Sequence, residues 1–200
     1  TDNDMYISKK WEEARFYEAK GEIRTTEIVG NSVIFTGYMA TMRFIPCVYF
    51  TLTYTFGDNA VSVAIDYKCE KYVGCLPRIG FETSLDKSFE KVSYYGYGPY
   101  ESYIDRHLSC IKDVYTDTVS NMEINYVKPQ ENGSHYGTEW LQIDNEVNCI
   151  RVEGNISFSA LPHSTKEYCA VAHDWELPSR HSTHLCVDYF CQNTALPNTN

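Results

Sequence analysis

The chain has 200 residues, 43% of them hydrophobic and 22% charged, which is typical of a globular domain that can bury a core. Its formal charge is −10 without a basic cluster, which disfavours nucleic acid and anionic membrane surfaces as partners. No apolar run reaches the ~18 residues of a spanning helix, and the first residues do not resemble a signal peptide.

The first predicted element is a weakly amphipathic helix over residues 11–20, which ends before Gly21. A strand over residues 32–38 follows. Residues 50–67 are then predicted to form an antiparallel hairpin, because apolar residues alternate with polar ones on both sides of a Gly-Asp-Asn turn. We expect the apolar face of this hairpin, including Leu52 and Val63, to be buried between two sheets.

Short strands separated by turn residues continue to the end of the chain. They are predicted over residues 78–85, 92–97, 136–143, 149–159 and 184–190. Helices are predicted over residues 101–110, after a Gly-Pro turn, and from a capping box at Ser164 and Glu167 to Ala172. This pattern indicates an all-β sandwich or barrel with few helices, and the absence of a linker favours one domain.

The eight cysteines are scattered without any C-x-x-C pair. A chain of this length does not need disulfide bonds to stabilise its fold, so we expect reduced thiols and a cytoplasmic protein. The closest approach to a zinc pattern is formed by His181, His184, Cys186 and Cys191, whose spacing matches no common site, and we expect no bound metal.

Four segments, in this order along the chain, carry a family resemblance. They are residues 1–4 (Thr-Asp-Asn-Asp), residues 76–80 (Leu-Pro-Arg-Ile-Gly) with 95–106 (Tyr-Gly-Tyr-Gly-Pro-Tyr-Glu-Ser-Tyr-Ile-Asp-Arg), residues 126–133 (Tyr-Val-Lys-Pro-Gln-Glu-Asn-Gly), and residues 173–177 (His-Asp-Trp-Glu-Leu). In these segments the chain resembles the C-terminal domain of the large β-galactosidases of glycoside hydrolase family 2. The resemblance covers essentially the whole chain.

The resemblance implies a twisted two-sheet antiparallel β-sandwich, the supersandwich shared with galactose mutarotases. It also implies that residues 1–200 form a single domain of a larger retaining β-galactosidase, which hydrolyses terminal β-D-galactosides. In that family both catalytic glutamates belong to a (β/α)-barrel of about 250 residues, which this chain cannot contain. We therefore expect no catalytic residue here, an inactive isolated chain, and the barrel and a galactoside substrate as partners. Any Mg²⁺ or Na⁺ of the parent enzyme lies outside this domain, which needs no cofactor.

The resemblance places Asp2, Asn3 and Asp4 at the rim of the substrate pocket in the assembled enzyme. Glu101, Arg106 and Glu131 lie in turns, where they serve either as a structural corner held by ion pairs or as a sugar contact. An acid two to five positions from Arg106 is expected to pair with it. This chain departs from the family at His135, where an arginine is usual, and it lacks the sugar-stacking tryptophan that several family members carry after the last strand.

Two other functions remain open. A stand-alone carbohydrate-binding module would need exposed aromatic rings in one patch, and Trp140, Trp175 and Tyr100 are the candidates. A mutarotase-like epimerase would need a histidine and a glutamate that converge in one cleft as acid and base. Fold similarity alone supports neither function.

Overall fold

A computed structural model describes residues 7–41, 45–70 and 76–191 of the chain, with the backbone alone for residues 190 and 191. The described residues up to Leu76 form one compact unit, and those from Pro77 onward form another. Each unit is built around one antiparallel sheet. The prediction of an all-β chain with two antiparallel sheets and a few short helices is confirmed, and the assignment of residues 1–200 to a single domain stays a prediction.

The first unit contains a four-stranded sheet whose strands are neighbours in chain order. A short helix and a 3₁₀ turn (Phe16–Glu18) precede the sheet. The elements are α1 (Ser8–Glu13), β1 (Lys20–Val29), β2 (Ser32–Ala40), β3 (Pro46–Phe56) and β4 (Val61–Cys69).

The predicted helix over residues 11–20 is wrong beyond Glu13. Arg15 has a left-handed backbone conformation (φ 55°), which an α-helix cannot include, and the chain enters β1 at Lys20. β1 was not predicted because nearly all of its residues are exposed, so no apolar alternation marks it.

The predicted hairpin is confirmed as β3 and β4, in which Leu52 pairs with Ile65 and Tyr54 pairs with Val63. The expected burial is wrong. Val63 is 44% exposed and Leu52 is only partly buried. β4 is an edge strand of the four-stranded sheet, with a neighbouring strand on one side only, and an edge position leaves its side chains open to solvent.

The second unit contains a six-stranded sheet in the order β5-β10-β9-β8-β6-β7. Its strands are β5 (Arg78–Asp86), β6 (Lys91–Gly98), β7 (Ile111–Thr118), β8 (His135–Asp144), β9 (Cys149–Leu161) and β10 (Ser182–Cys191). Two short helices, α2 (Val119–Met122) and α3 (Thr165–Ala170), and a 3₁₀ turn (Asp174–Glu176) lie between strands. The predicted capping box is present, since the Ser164 hydroxyl and the Glu167 carboxylate each accept a backbone N–H at the start of α3.

One face of the six-stranded sheet carries the main hydrophobic core. In β6 every second residue is buried, so a period of two places Val92 and Tyr94 on that face. Leu141 of the neighbouring β8 and Phe158 of β9, the next strand along, are fully buried in the same core, and α2 contributes Val119. None of the helices in the described part of the chain is long and apolar enough to cross a bilayer.

The predicted helix over residues 101–110 is wrong. This segment follows a cis Gly98–Pro99 peptide bond and forms turns, with an isolated bridge between Tyr103 and Arg106. Side-chain pairing within these turns, described below, takes the place of helical hydrogen bonds. β7 was also missed, because its apolar residues Ile111 and Val114 are exposed and do not follow a period of two with a buried face.

We predict that Leu141→Ala lowers the free energy of unfolding by about 2–5 kcal/mol, because the leucine is fully buried and its removal leaves a cavity. Leu108→Ala removes the same atoms from a side chain that is 96% exposed, so it should change stability by less than about 0.5 kcal/mol. Urea unfolding followed by circular dichroism measures both. Equal midpoints for the two variants would contradict the assignment of the core to this face.

Candidate functional site

Charged side chains from four separate segments meet in the second unit. Arg78 begins β5, Asp188 lies near the end of β10, and the others come from the turns after β6 and the loop before β8. We call this group the acidic corner. Its members are Arg78, Glu101, Tyr103, Arg106, Glu131 and Asp188.

Glu101 is the hydrogen-bond centre of the turn after β6. Its Oε1 accepts bonds from the Arg106 guanidinium and the Tyr126 hydroxyl, and its Oε2 accepts the Gly133 N–H at 2.9 Å. Only 9% of the Glu101 side chain is exposed. Both of its oxygens are therefore engaged within the protein, whereas Asp105, the acid next to Arg106 in the sequence, is exposed.

Gly133 is required at its position for conformational reasons. It has φ +65°, a left-handed conformation that favours glycine, and its N–H points to Glu101. The neighbouring Asn132 is 1% exposed, and its amide accepts the Ile124 N–H and donates to the Gln130 carbonyl. The Glu-Asn-Gly turn signature thus has a local structural role.

Asp188 is 3% exposed and forms a two-pronged ion pair with Arg78. Burial raises the pKa of Asp188, and hydrogen bonding and the positive charge of Arg78 oppose that shift. A β-carbon at Gly80 would collide with the Asp188 carboxylate and the Val187 carbonyl. The Arg-Ile-Gly sequence therefore supplies both the cation and the room that Asp188 needs.

Glu131, the third acid of the corner, accepts a hydrogen bond from the Tyr103 hydroxyl at 2.9 Å. Burial raises the pKa of Glu131 to about 7, against the opposing charge of Arg78 and the Tyr103 hydrogen bond. The negative charges of Glu101 and Asp188 add to the rise. Glu131 is thus an acid that titrates near neutral pH.

The chemistry open to this corner is limited by how its carboxylates are held. A retaining glycosidase needs two carboxyl groups roughly 5 Å apart that both face the sugar. Glu101 and Asp188 are held by protein donors, and Glu131 is hydrogen-bonded to Tyr103. The arrangement is suited to fixing turns around the sheet end, with one group that exchanges a proton near neutral pH.

Histidine–glutamate pairs are present, and in the first of them both ring nitrogens of the histidine contact protein atoms. His163 Nδ1 lies 3.3 Å from Glu123 Oε1, and its Nε2 lies 2.9 Å from the Pro178 carbonyl oxygen. Glu123 also accepts the Tyr168 hydroxyl at 2.7 Å. Since both ring nitrogens of His163 are engaged, this pair has no free position for the proton transfer that an epimerase requires.

A second pair, Glu167 with His184 at 3.6 Å, lies at the start of α3. Glu167 Oε2 accepts both the N–H and the hydroxyl of Ser164, and His184 Nε2 lies 2.9 Å from the Ser182 hydroxyl. Burial raises the pKa of Glu167, but the hydrogen bonds from Ser164 and the nearby His181 and His184 together lower it by more, so the net shift is downward. The Glu167 carboxylate therefore caps the N-terminus of α3 by accepting the Ser164 N–H.

His135 is 2% exposed. Burial lowers its pKa to about 4, so the ring is neutral at physiological pH. It packs 4.5 Å from the Tyr94 ring and 5.2 Å from the Phe158 ring, with Nδ1 near the Tyr97 carbonyl. The neutral ring therefore packs as part of an aromatic cluster with Tyr94 and Phe158.

Among the described residues no three His, Cys, Asp or Glu side chains are arranged to hold a metal ion. Burial raises the pKa of the Cys186 thiol to about 11, which disfavours the thiolate that zinc requires. The cysteines that the structure describes are free thiols: Cys47, Cys69, Cys110, Cys149, Cys169 and Cys186. Cys75 and the Cys191 side chain lie outside the described part, so their thiols stay predictions.

The three aromatic candidates for sugar binding lie on separate elements. Trp140, in β8, has the Arg151 guanidinium 4.5 Å from its ring centre. Trp175 is 74% exposed and stacks on His173 at 4.2 Å, and Tyr100 is 68% exposed in the turn after β6. Within the described residues, no contact joins the rings of these three side chains into one patch.

The predicted pocket-rim residues Asp2, Asn3 and Asp4 lie outside the described residues. The structure brings Glu101 and Arg106 together directly and places Glu131 in the same corner. Sequence reasoning missed Arg78 and Asp188 as members. The sequence does contain a signal for Asp188. It is a charged residue within an otherwise apolar strand, and a charge that is buried in this way needs a partner.

Comparison with known proteins gives a consistent result. A family model described as the β-galactosidase small chain matches residues 1–193. A β-galactosidase from Actinobacillus pleuropneumoniae is 33% identical over 94% of this chain and 19% of its own length. One from Staphylococcus xylosus is 30% identical over 94% of the chain and 20% of its own length. The chain thus spans about a fifth of the length of these curated relatives.

We predict that Glu101→Ala destabilises the chain by about 2–3 kcal/mol, because it leaves the Gly133 N–H and the Tyr126 hydroxyl without their acceptor. Half of the Arg106 side chain is exposed, so water compensates for that lost ion pair. Asp105→Ala, on an exposed side chain in the same turn, should leave the unfolding midpoint nearly unchanged. A larger loss in the Asp105 variant would show that the turn is held differently.

We predict that Glu131→Gln reduces the loss of stability at higher pH. The pKa of Glu131 is about 7 in the native state against an ordinary value of 4.5, so the native state holds this proton longer. Its stabilising contribution is fully present below pH 4.5 and is lost as the pH rises to about 7 and beyond. Glutamine keeps an acceptor for Tyr103 and never ionises.

Urea unfolding at about pH 5 and about pH 8 gives the difference in stability between this variant and the parent at each pH. The difference should move in favour of Glu131→Gln at the higher pH. Glu82→Gln, on an exposed side chain of β5, is the matched control and should show no such change. A pH-independent difference for Glu131→Gln would contradict the raised pKa.

Proposed function

Because the chain belongs to the β-galactosidase small-chain family, we propose that it is the accessory domain of a retaining β-galactosidase. The observation that carries this proposal is the match over residues 1–193, in a chain that spans only about a fifth of its relatives. A (β/α)-barrel takes about 250 residues, for which the remaining length of such relatives leaves ample room.

The way in which the carboxylates of this chain are held supports placing the catalytic pair in another domain. In the described residues of the acidic corner, Glu101 and Asp188 are bound by the protein itself. The nucleophile and the acid/base are therefore assigned to the barrel of the parent enzyme, and the galactoside binds there. This chain packs against that barrel as its partner, and the free thiols of the described cysteines support a cytoplasmic location.

The contribution of this domain to substrate binding is assigned to Asp2, Asn3 and Asp4. Their short carboxylates and amide both suit hydrogen bonds to sugar hydroxyls, and the family resemblance places this segment at the pocket rim. Groups at a rim bind the ground state and the transition state alike. Their loss is therefore expected to raise KM more than it lowers kcat.

A graft tests the proposal. In the β-galactosidase of Actinobacillus pleuropneumoniae, the region that matches this chain is replaced by the chain itself, and hydrolysis of o-nitrophenyl β-D-galactoside is measured. We expect the graft to be active and a deletion of the same region to be inactive. Asp2→Ala and Asp4→Ala in the graft should raise KM about tenfold with kcat little changed.

Asp58→Ala is the control, because Asp58 is an exposed acid in the turn between β3 and β4. It should leave KM unchanged. Full activity of the deletion would contradict the accessory role, whereas an active graft with unaltered KM in all variants would contradict the pocket-rim assignment alone.

A further inference from the structure

The four-stranded sheet carries a groove of about 620 Å³ on one face, a size within the range of ligand-binding sites. We propose that this groove is a saccharide-binding site that holds a neutral oligosaccharide without cleaving it. This proposal goes beyond the accessory role, since none of the residues that line the groove belongs to the acidic corner or to residues 2–4. The residues used in the argument are Arg24, Tyr38, Tyr49, Thr51, Asp66 and Lys68.

One wall of the groove is fixed before any ligand arrives. The Arg24 guanidinium lies 4.9 Å from the centre of the Tyr38 ring and donates to the Tyr38 hydroxyl at 2.8 Å. That hydroxyl donates to Glu22 at 2.5 Å, and Glu22 lies 3.4 Å from Arg24. Each of these three side chains restrains the other two, so little conformational entropy is lost on binding.

The floor of the groove follows from strand register. Tyr49 of β3 pairs with Tyr38 of β2 and with Lys68 of β4, and Thr51 pairs with Asp66, so all five lie on one face of the sheet. The Tyr49 ring is 44% exposed and meets the Tyr38 ring edge-on, with 6.3 Å between ring centres. A ring is therefore open to solvent with polar groups on either side.

The chemistry of these groups matches a polyhydroxylated ligand. A sugar presents apolar C–H faces, which pack on an aromatic ring, and hydroxyls that both donate and accept hydrogen bonds. The groove offers donors from Arg24 and Lys68, an acceptor from Asp66, and the Thr51 hydroxyl, which does both. The groove can therefore both donate hydrogen bonds to sugar hydroxyls and accept hydrogen bonds from them.

Charge balance distinguishes a neutral ligand from an anionic one. The two positive charges of Arg24 and Lys68 are matched by the two negative charges of Glu22 and Asp66. A site for phosphate, sulfate or uronic acid would need an excess of positive charge. This balance and the open ring favour a neutral chain of hexoses.

Isothermal titration calorimetry of the 200-residue chain tests the site with two probes. The neutral probe is β-1,4-galactotetraose, and the anionic probe is the tetramer of galacturonic acid. We expect binding of the neutral tetramer and much weaker binding of the charged one. Tyr49→Ala and Asp66→Asn should each weaken binding of the neutral tetramer about tenfold.

Tyr189→Ala is the matched control, because Tyr189 is 66% exposed on β10 of the other sheet. It should bind the tetramer like the parent. An unchanged melting temperature shows that a variant is folded. If Tyr49→Ala does not fold, Asp66→Asn still tests the proposal, because the Asp66 side chain is exposed.

Absence of binding, tighter binding of the charged tetramer, or equal binding by the Tyr49 and Tyr189 variants would each overturn the proposal. The graft experiment reads out catalysis through residues 2–4, so its failure leaves this titration unaffected.

Discussion

A buried carboxylate must be neutralised by an opposite charge, by hydrogen bonds, or by a proton, and the acidic corner uses all three. Asp188 has Arg78 as its counter-ion, and Glu101 has two hydroxyl or amide donors besides Arg106. Glu131 relies on the proton, which burial lets it keep to about pH 7. The turns at this end of the six-stranded sheet depend on these interactions for their conformation.

The glycines of the corner follow from the same constraint. Asp188 can approach β5 only because Gly80 has no side chain, and the Gly133 N–H reaches Glu101 only from a left-handed backbone. The Arg-Ile-Gly and Glu-Asn-Gly motifs thus have a structural explanation in the local geometry of this corner.

Strands with a regular alternation of apolar and polar residues could be predicted from the sequence, and strands without one could not. β3 and β4 showed a clear alternation, while β1 and β7 were missed because their apolar residues are exposed and irregular. The burial of Val63 was predicted wrongly, since periodicity gives the face of a residue but not what covers that face. Tertiary surroundings decide that second question.

The functional groups divide in a similar way. That Arg106 would pair with Glu101, the acid five positions before it, was predictable, but the additional bonds to Glu101 from Tyr126 and Gly133 depended on turn geometry. The Arg78–Asp188 pair joins residues 110 positions apart, which only the order of strands brings together. The groove on the four-stranded sheet was missed because threonines and charges on a strand face read as an ordinary solvated surface.

The central claim is that the catalytic pair lies outside this chain, and its own hydrolytic activity is the most direct test. The purified 200-residue chain is incubated with o-nitrophenyl β-D-galactoside, and release of nitrophenol is compared with buffer alone. The account predicts no release above the uncatalysed rate. Turnover that persists through purification and disappears in Glu131→Gln or Glu101→Gln would contradict it.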